Sequence, residues 1–253
     1  AFFEHADITT APISGFVVEE GTGVSLSDVH VFVYLEGEDA PWMEMTTDIG
    51  DDTSPDGSFS GRLPPGDYEV QVHAKNRPVS ERLSISVNAV GVDGLVLTSP
   101  QPGGIHFTVL DEADRPTPVK VSFFSAAGSD LRNEVLGDGY ISKDIELGTP
   151  AAVVFAPYGE GHLNLIPGEY IAVASRGIEY EIDISDPFEV KANNNNQIQL
   201  QVLKTVDTEG WLSADFHLHS VPSHDSGVSL PDRVKTMACE GIEYFTPTDH
   251  DYI

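Results

Sequence analysis

The feature that most narrows the possible fold is a strand signature that occurs twice. Leu63-Pro-Pro-Gly-Asp-Tyr-Glu-Val-Gln-Val72 is echoed by Leu165-Ile-Pro-Gly-Glu-Tyr-Ile-Ala-Val-Ala174, each a Pro-Gly turn that feeds a strand opening on an aromatic residue. The offset between the copies is about the length of one sandwich domain. Around them, short segments of alternating polarity recur at 29–35, 68–74, 83–87, 120–125, 170–174 and 198–203, separated by Gly, Pro and Asp. Period-two alternation puts every second side chain on one face, which suits a half-buried strand, and turn residues at this spacing suit sandwiches rather than βαβ units. No segment before Ser229 has helical periodicity. Two tandem β-sandwiches of prealbumin or immunoglobulin-like type are therefore expected, with a linker in the Pro- and Gly-rich stretch 99–104. The expected division is an N-terminal extension over 1–12, sandwiches over 13–99 and 100–208, and a different segment over 209–253.

The charge balance bounds the partners. The chain of 253 residues carries 41 acidic against 13 basic side chains, a formal charge of −28 at pH 7. A nucleic-acid backbone is held by Lys and Arg that displace its counterions, and no basic cluster is present, so no nucleic-acid partner is expected. Strong acidity fits solubility and attraction of cations. Apolar runs such as 151–156 are too short to span a bilayer. The single cysteine, Cys239, can form no internal bridge and reads as a small residue near a helix end.

Some features of the β-rich part have ordinary readings. Asp48, Asp51, Asp52 and Asp56 crowd one loop in no EF-hand register and read as a solvated hairpin. Asn193 to Asn196 suit a tight turn. His5, His30, His73, His106 and His162 are scattered singly and read as satisfied or exposed residues rather than ligands.

Composition changes after Thr208. Four of the nine histidines lie in the last 37 residues, within Asp215-Phe-His-Leu-His-Ser-Val-Pro-Ser-His-Asp-Ser226 and Thr248-Asp-His-Asp251. On a strand, His217 and His219 share a face with Asp215, so their imidazoles converge. Neutral imidazole with carboxylate suits Zn²⁺, Mn²⁺ or Fe²⁺. Ser229-Leu-Pro-Asp232 is a capped helix start, Leu230, Val234, Met237 and Ala238 fall on one helical face, and Gly241 can close the helix. A short apolar strand over 242–248 follows. Strand, helix, strand implies parallel pairing by a right-handed crossover, with both histidine groups at one end of the sheet.

Two resemblances extend these readings. Gly15-Phe-Val-Val, Val29-His-Val-Phe-Val, Asp56-Gly-Ser-Phe59 and Leu63-Pro-Pro-Gly-Asp-Tyr68 resemble carboxypeptidase regulatory-like domains, which implies an accessory sandwich. Asp215-Phe-His-Leu-His-Ser and Thr248-Asp-His250, with Gly210-Trp-Leu-Ser-Ala before them, resemble the first motifs of the polymerase and histidinol phosphatase (PHP) superfamily, in its carbamate and ester hydrolase branch. Arg176-Gly-Ile-Glu-Tyr180 is similar to a segment recurring there. The resemblance implies the first βαβ unit of an incomplete (β/α) barrel with two or three divalent ions. It gives His217 and His219 as ligands of one metal and Asp225 and His250 as ligands of another, with Asp215 and Asp249 orienting imidazoles. It also implies metal-activated water attacking a small ester or phosphoester, the fragment itself being inactive, in an extracellular or periplasmic protein. Trp211 is expected to anchor the sandwich to the barrel, and Pro247 is tolerable only near a strand end. The other expectation is a non-catalytic extracellular or surface protein whose β-modules bind or assemble.

Overall fold

A computed structural model describes residues 8–47, 56–126 and 150–250. The chain divides into two compact units near Pro102, the first holding one sandwich and the second holding another together with the C-terminal segment. Asp48, Asp51, Asp52 and His5 lie outside the described residues.

In the first unit, strands β1 (Ala11–Glu19), β4 (Ser58–Leu63) and β7 (Val92–Ser99) form a sheet in the order β4-β1-β7. Strands β2 (His30–Leu35), β3 (Met43–Thr46), β5 (Gly66–His73) and β6 (Leu83–Val87) form the other, β3-β2-β5-β6. Alternate residues of both sheets meet in one core that includes Ile13, Val17, Val31, Val33, Phe59, Leu63, Val70 and Val72. Alternation is why this works: polar neighbours such as Ser14 and Gln71 are carried to the outer faces.

The second unit repeats the plan. β8 (Gly103–Leu110), β11 (Glu160–Leu165) and β15 (Asn195–Gln201) are ordered β11-β8-β15. Facing them are β9 (Val119–Ser125), β10 (Ala152–Ala156), β12 (Gly168–Ser175), and the short β13 (Asp183–Ile184) and β14 (Phe188–Val190). In both units the first strand pairs antiparallel on one side and parallel on the other. The repeated tyrosines do the same job: Tyr68 donates its hydroxyl to the Pro64 carbonyl at 2.9 Å, and Tyr170 to the Ile166 carbonyl at 2.8 Å. Each tyrosine thereby ties the strand start to its own turn while its ring fills the core, and burial pushes the Tyr170 phenol up to about 12. Asn193 occupies the left-handed region at φ 55°, in the turn before β15.

The C-terminal segment contains β16 (Ala214–Leu218), helix α1 (Leu230–Cys239) and β17 (Tyr244–Pro247), with β16 and β17 parallel. Ser229 caps α1 by accepting from the Asp232 N–H, and Pro231 sits in the first turn, where a missing N–H costs nothing. Pro247 is the last residue of its strand. The buried face of α1 is not the expected one. Met237 and Cys239 are buried while Leu230 and Val234 are each 53% exposed. The reason is that the last turn of the helix, rather than its whole length, packs on β9 and β10, where the Cys239 thiol meets Val119 and Ala156. Burial pushes that thiol up from its ordinary value. The architecture is thus mainly β, with sandwiches as expected. The β16-α1-β17 unit is a two-stranded sheet, and among the described residues no further strand joins it to begin a barrel.

Trp211 is not the joint between sandwich and C-terminal segment, since it is 80% exposed. The joint is polar and close-packed instead. Gly177, at φ 75°, approaches Glu240 so tightly that a Cβ would lie 2.2 Å from its carbonyl oxygen. Lys120 pairs with Glu240, and a Cβ on Gly241 would lie 2.9 Å from the Arg176 carbonyl oxygen. The Arg176-Gly-Ile-Glu-Tyr180 segment thus serves as a docking strip, with the Arg176 guanidinium over the Tyr180 ring at 4.9 Å.

Candidate functional site

The chemistry-bearing side chains gather where β16 and β17 end. The Thr248 N–H donates to the Leu218 carbonyl at 2.7 Å, which holds the two strand ends together beyond the parallel ladder. His217 and His219, two residues apart on one face, come within 3.0 Å through their Nε2 atoms. On its other side, His219 Nδ1 lies 2.8 Å from Asp225 Oδ2. His250 Nε2 stands 3.5 Å from the same carboxylate oxygen. His219, Asp225 and His250 each offer one ligand atom, and these atoms lie within 4.8 Å of one another. That spacing and the donor set of two imidazoles and a carboxylate fit a borderline divalent ion.

His217 stands outside that group of three, held to it by its contact with His219. Asp215 accepts from the backbone N–H of His217 at 2.9 Å rather than from an imidazole. Asp249 binds Ser220, taking its N–H at 2.6 Å and its hydroxyl at 2.9 Å. Both carboxylates therefore fix the backbone from which the histidines project. His224 was missed in sequence: its ring lies 4.9 Å from that of His250, tilted by 41°. The signal was present as Ser-His-Asp beside a predicted ligand, but nothing in the spacing aimed it at His250.

Electrostatically the cluster is self-satisfied. Ser223 donates its hydroxyl to Asp225 at 2.5 Å, and this bond, followed by that to His219, pulls the Asp225 carboxyl down to about 2. If His219 donates from Nδ1 to Asp225, its Nε2 is left to accept from His217. The site is also open: the side chains of Asp225 and His250 are 42% and 50% exposed.

No family model matches the chain. No curated protein matches it. Solved structures that do match include the Bacillus anthracis TIE protein, at 16% identity over 78% of this chain and 34% of that one, TM-score 0.34. A streptococcal ancillary pilin is 12% identical over 79% of this chain and 64% of its own, TM-score 0.39. The shaft pilin SpaA from Lactobacillus rhamnosus GG is 11% identical over 79% of this chain and 99% of its own, TM-score 0.44. The chain thus spans about a third of the TIE protein and under two thirds of the ancillary pilin. These TM-scores lie below 0.5 and assign no function.

The expected PHP and carboxypeptidase regulatory-like memberships are corrected on this outcome, since no family model and no curated protein matches the chain. The expected hydrolase falls with them. Among the described residues, the C-terminal segment is a two-stranded parallel pair that carries a solvent-open histidine cluster. Among the described residues, no helix is long and apolar enough to cross a membrane.

Proposed function

We propose that this chain is a non-catalytic extracellular or cell-surface protein whose tandem β-sandwiches serve binding or assembly. The observation that carries the reading is the duplication of one sandwich plan, each copy with its own closed core, in a chain whose acidic surface keeps it solvated. Two tests bear on it. Protease added to intact source cells should degrade the protein, and protection until lysis would refute a surface location. Ester and phosphoester turnover with added Zn²⁺ or Mn²⁺ should be absent, and turnover lost on His219→Ala would overturn the non-catalytic assignment.

The C-terminal cluster supports a second, compatible role. His219, Asp225 and His250 would hold a divalent ion such as Zn²⁺, Mn²⁺ or Fe²⁺, which would tie the loop bearing Asp225 to both strand ends. An ion bound only by the folded form stabilises it by mass action. Zn²⁺ should therefore raise the melting temperature of the wild type by more than that of His250→Ala. Equal shifts in both would exclude this site.

A further inference from the structure

The second sandwich carries another histidine pair, far from the first in sequence and on a different sheet. Register places His162 of β11 directly opposite His106 of β8, and Gln197 of β15 opposite His106 on its other side. All three are exposed on the outer face of the sheet. The two rings face each other at 5.8 Å between centroids, inclined by 23°. Among the described residues neither imidazole is held by a hydrogen bond, so both are free to turn. Glu160, two residues before His162 and exposed, is directed to the same face by the strand alternation.

The first sandwich shows that this pair is not demanded by the fold. Its corresponding row is Ser14 opposite Ser60, with the Ser14 hydroxyl bound to Asp93. Two imidazoles side by side in water contribute little packing, and they repel once both are protonated. What they do offer is a pair of nitrogens on Cβ atoms about 5 Å apart, the separation of directly opposed residues. A bridging ion needs each nitrogen at about 2.0–2.1 Å, which rotation of two exposed rings can supply.

We propose that His106 and His162 form a two-point site for an imidazole-preferring ion of the Zn²⁺, Ni²⁺ or Cu²⁺ class, with water completing the shell. The negative charge of the chain raises the local cation concentration. Only the paired β8-β11 register presents both nitrogens together, so the ion clips these strands and binds the folded chain alone. This site is independent of the C-terminal cluster and of any role given to it.

The test uses the full chain and Ni²⁺ as probe. In a His219→Ala/His250→Ala background, which disables the C-terminal cluster, calorimetric titration should still find one bound ion. Adding His162→Gln should weaken that uptake about 100-fold, the order of gain from a second tethered contact. A melting curve without metal identifies any variant that has lost its fold. A second measurement needs no variant: substoichiometric Cu²⁺ should broaden the imidazole proton signals of His106 and His162 together. Unchanged uptake in the His162→Gln variant, or broadening that spares these two rings, would overturn the proposal.

Discussion

The two sandwiches solve the same packing problem with their parts exchanged. In the first, Gly15 of β1 stands opposite Phe59 of β4; in the second, Phe107 of β8 stands opposite Gly161 of β11. Both phenylalanines are buried, at 3% and 2% exposure. One aromatic is needed at this point of the core, either strand can supply it, and its partner must be small. The two glycines are nevertheless small for different reasons. A Cβ on Gly161 would strike the Phe107 ring at 2.4 Å, whereas a Cβ on Gly15 would lie 2.2 Å from the Leu95 carbonyl, where the β1-β7 register shifts. The second glycine yields to a side chain and the first to a backbone.

That difference can be attacked directly. Truncating Phe59 or Phe107 to Ala should each destabilise by about 3–5 kcal/mol in chemical denaturation. The exchanged variant Phe107→Gly/Gly161→Phe should recover a large part of the loss shown by Phe107→Gly alone, and simple additivity would show that the positions are not interchangeable. Gly15→Ala should then destabilise by about 2–4 kcal/mol, because the Leu95 carbonyl cannot move without opening the parallel pairing. Tyr68→Phe and Tyr170→Phe should each cost about 0.5–1.5 kcal/mol, since each keeps its ring and loses one hydroxyl bond. A large inequality between them would show that the shared turn contact is not equally used.

The smallest expected effect is a pH dependence. Glu19 closes β1 and is held below its ordinary carboxyl value first by its bond to Arg77. Asp111, just after β8, is lowered first by the backbone N–H of Arg115 and then by its side chain. A depressed folded-state value means stabilisation that is complete above the ordinary carboxylate range and lost as pH falls through the lower, folded value. Denaturation followed from neutral pH down through about 4 should show less acid sensitivity in Glu19→Gln and Asp111→Asn than in the wild type. An unchanged acid slope in both would remove these carboxylates from the account.

Much of this was legible residue by residue. Period-two alternation marked the strands, and Leu-x-Pro-Gly-x-Tyr located the turn in which Tyr170 now binds the Ile166 carbonyl. That the histidines of β16 and His250 would meet at one end of the sheet was also legible, because a strand-helix-strand order brings such positions together, whereas Asp225 entered only through the family resemblance. Other features needed long-range register. His106 and His162 read as isolated residues, since nothing local reveals that chain positions so far apart will be opposed on neighbouring strands. The exposed Leu230 and Val234 misled for a related reason: periodicity reports an apolar face, but not which turn of it finds a partner.

Local sequence by itself determined that segments such as 29–35, 68–74, 83–87, 120–125 and 170–174 form strands, and that each sandwich would have one apolar and one polar face per sheet. These follow from side-chain direction and turn chemistry, which act over a few residues. Tertiary structure alone decided which glycine faces which phenylalanine, which histidines stand side by side, and that Gly177 rather than Trp211 makes the joint between the second sandwich and the C-terminal segment. Those outcomes depend on strand register and on backbone approach within a few ångströms, quantities set by the packing of the whole core rather than by any stretch of it.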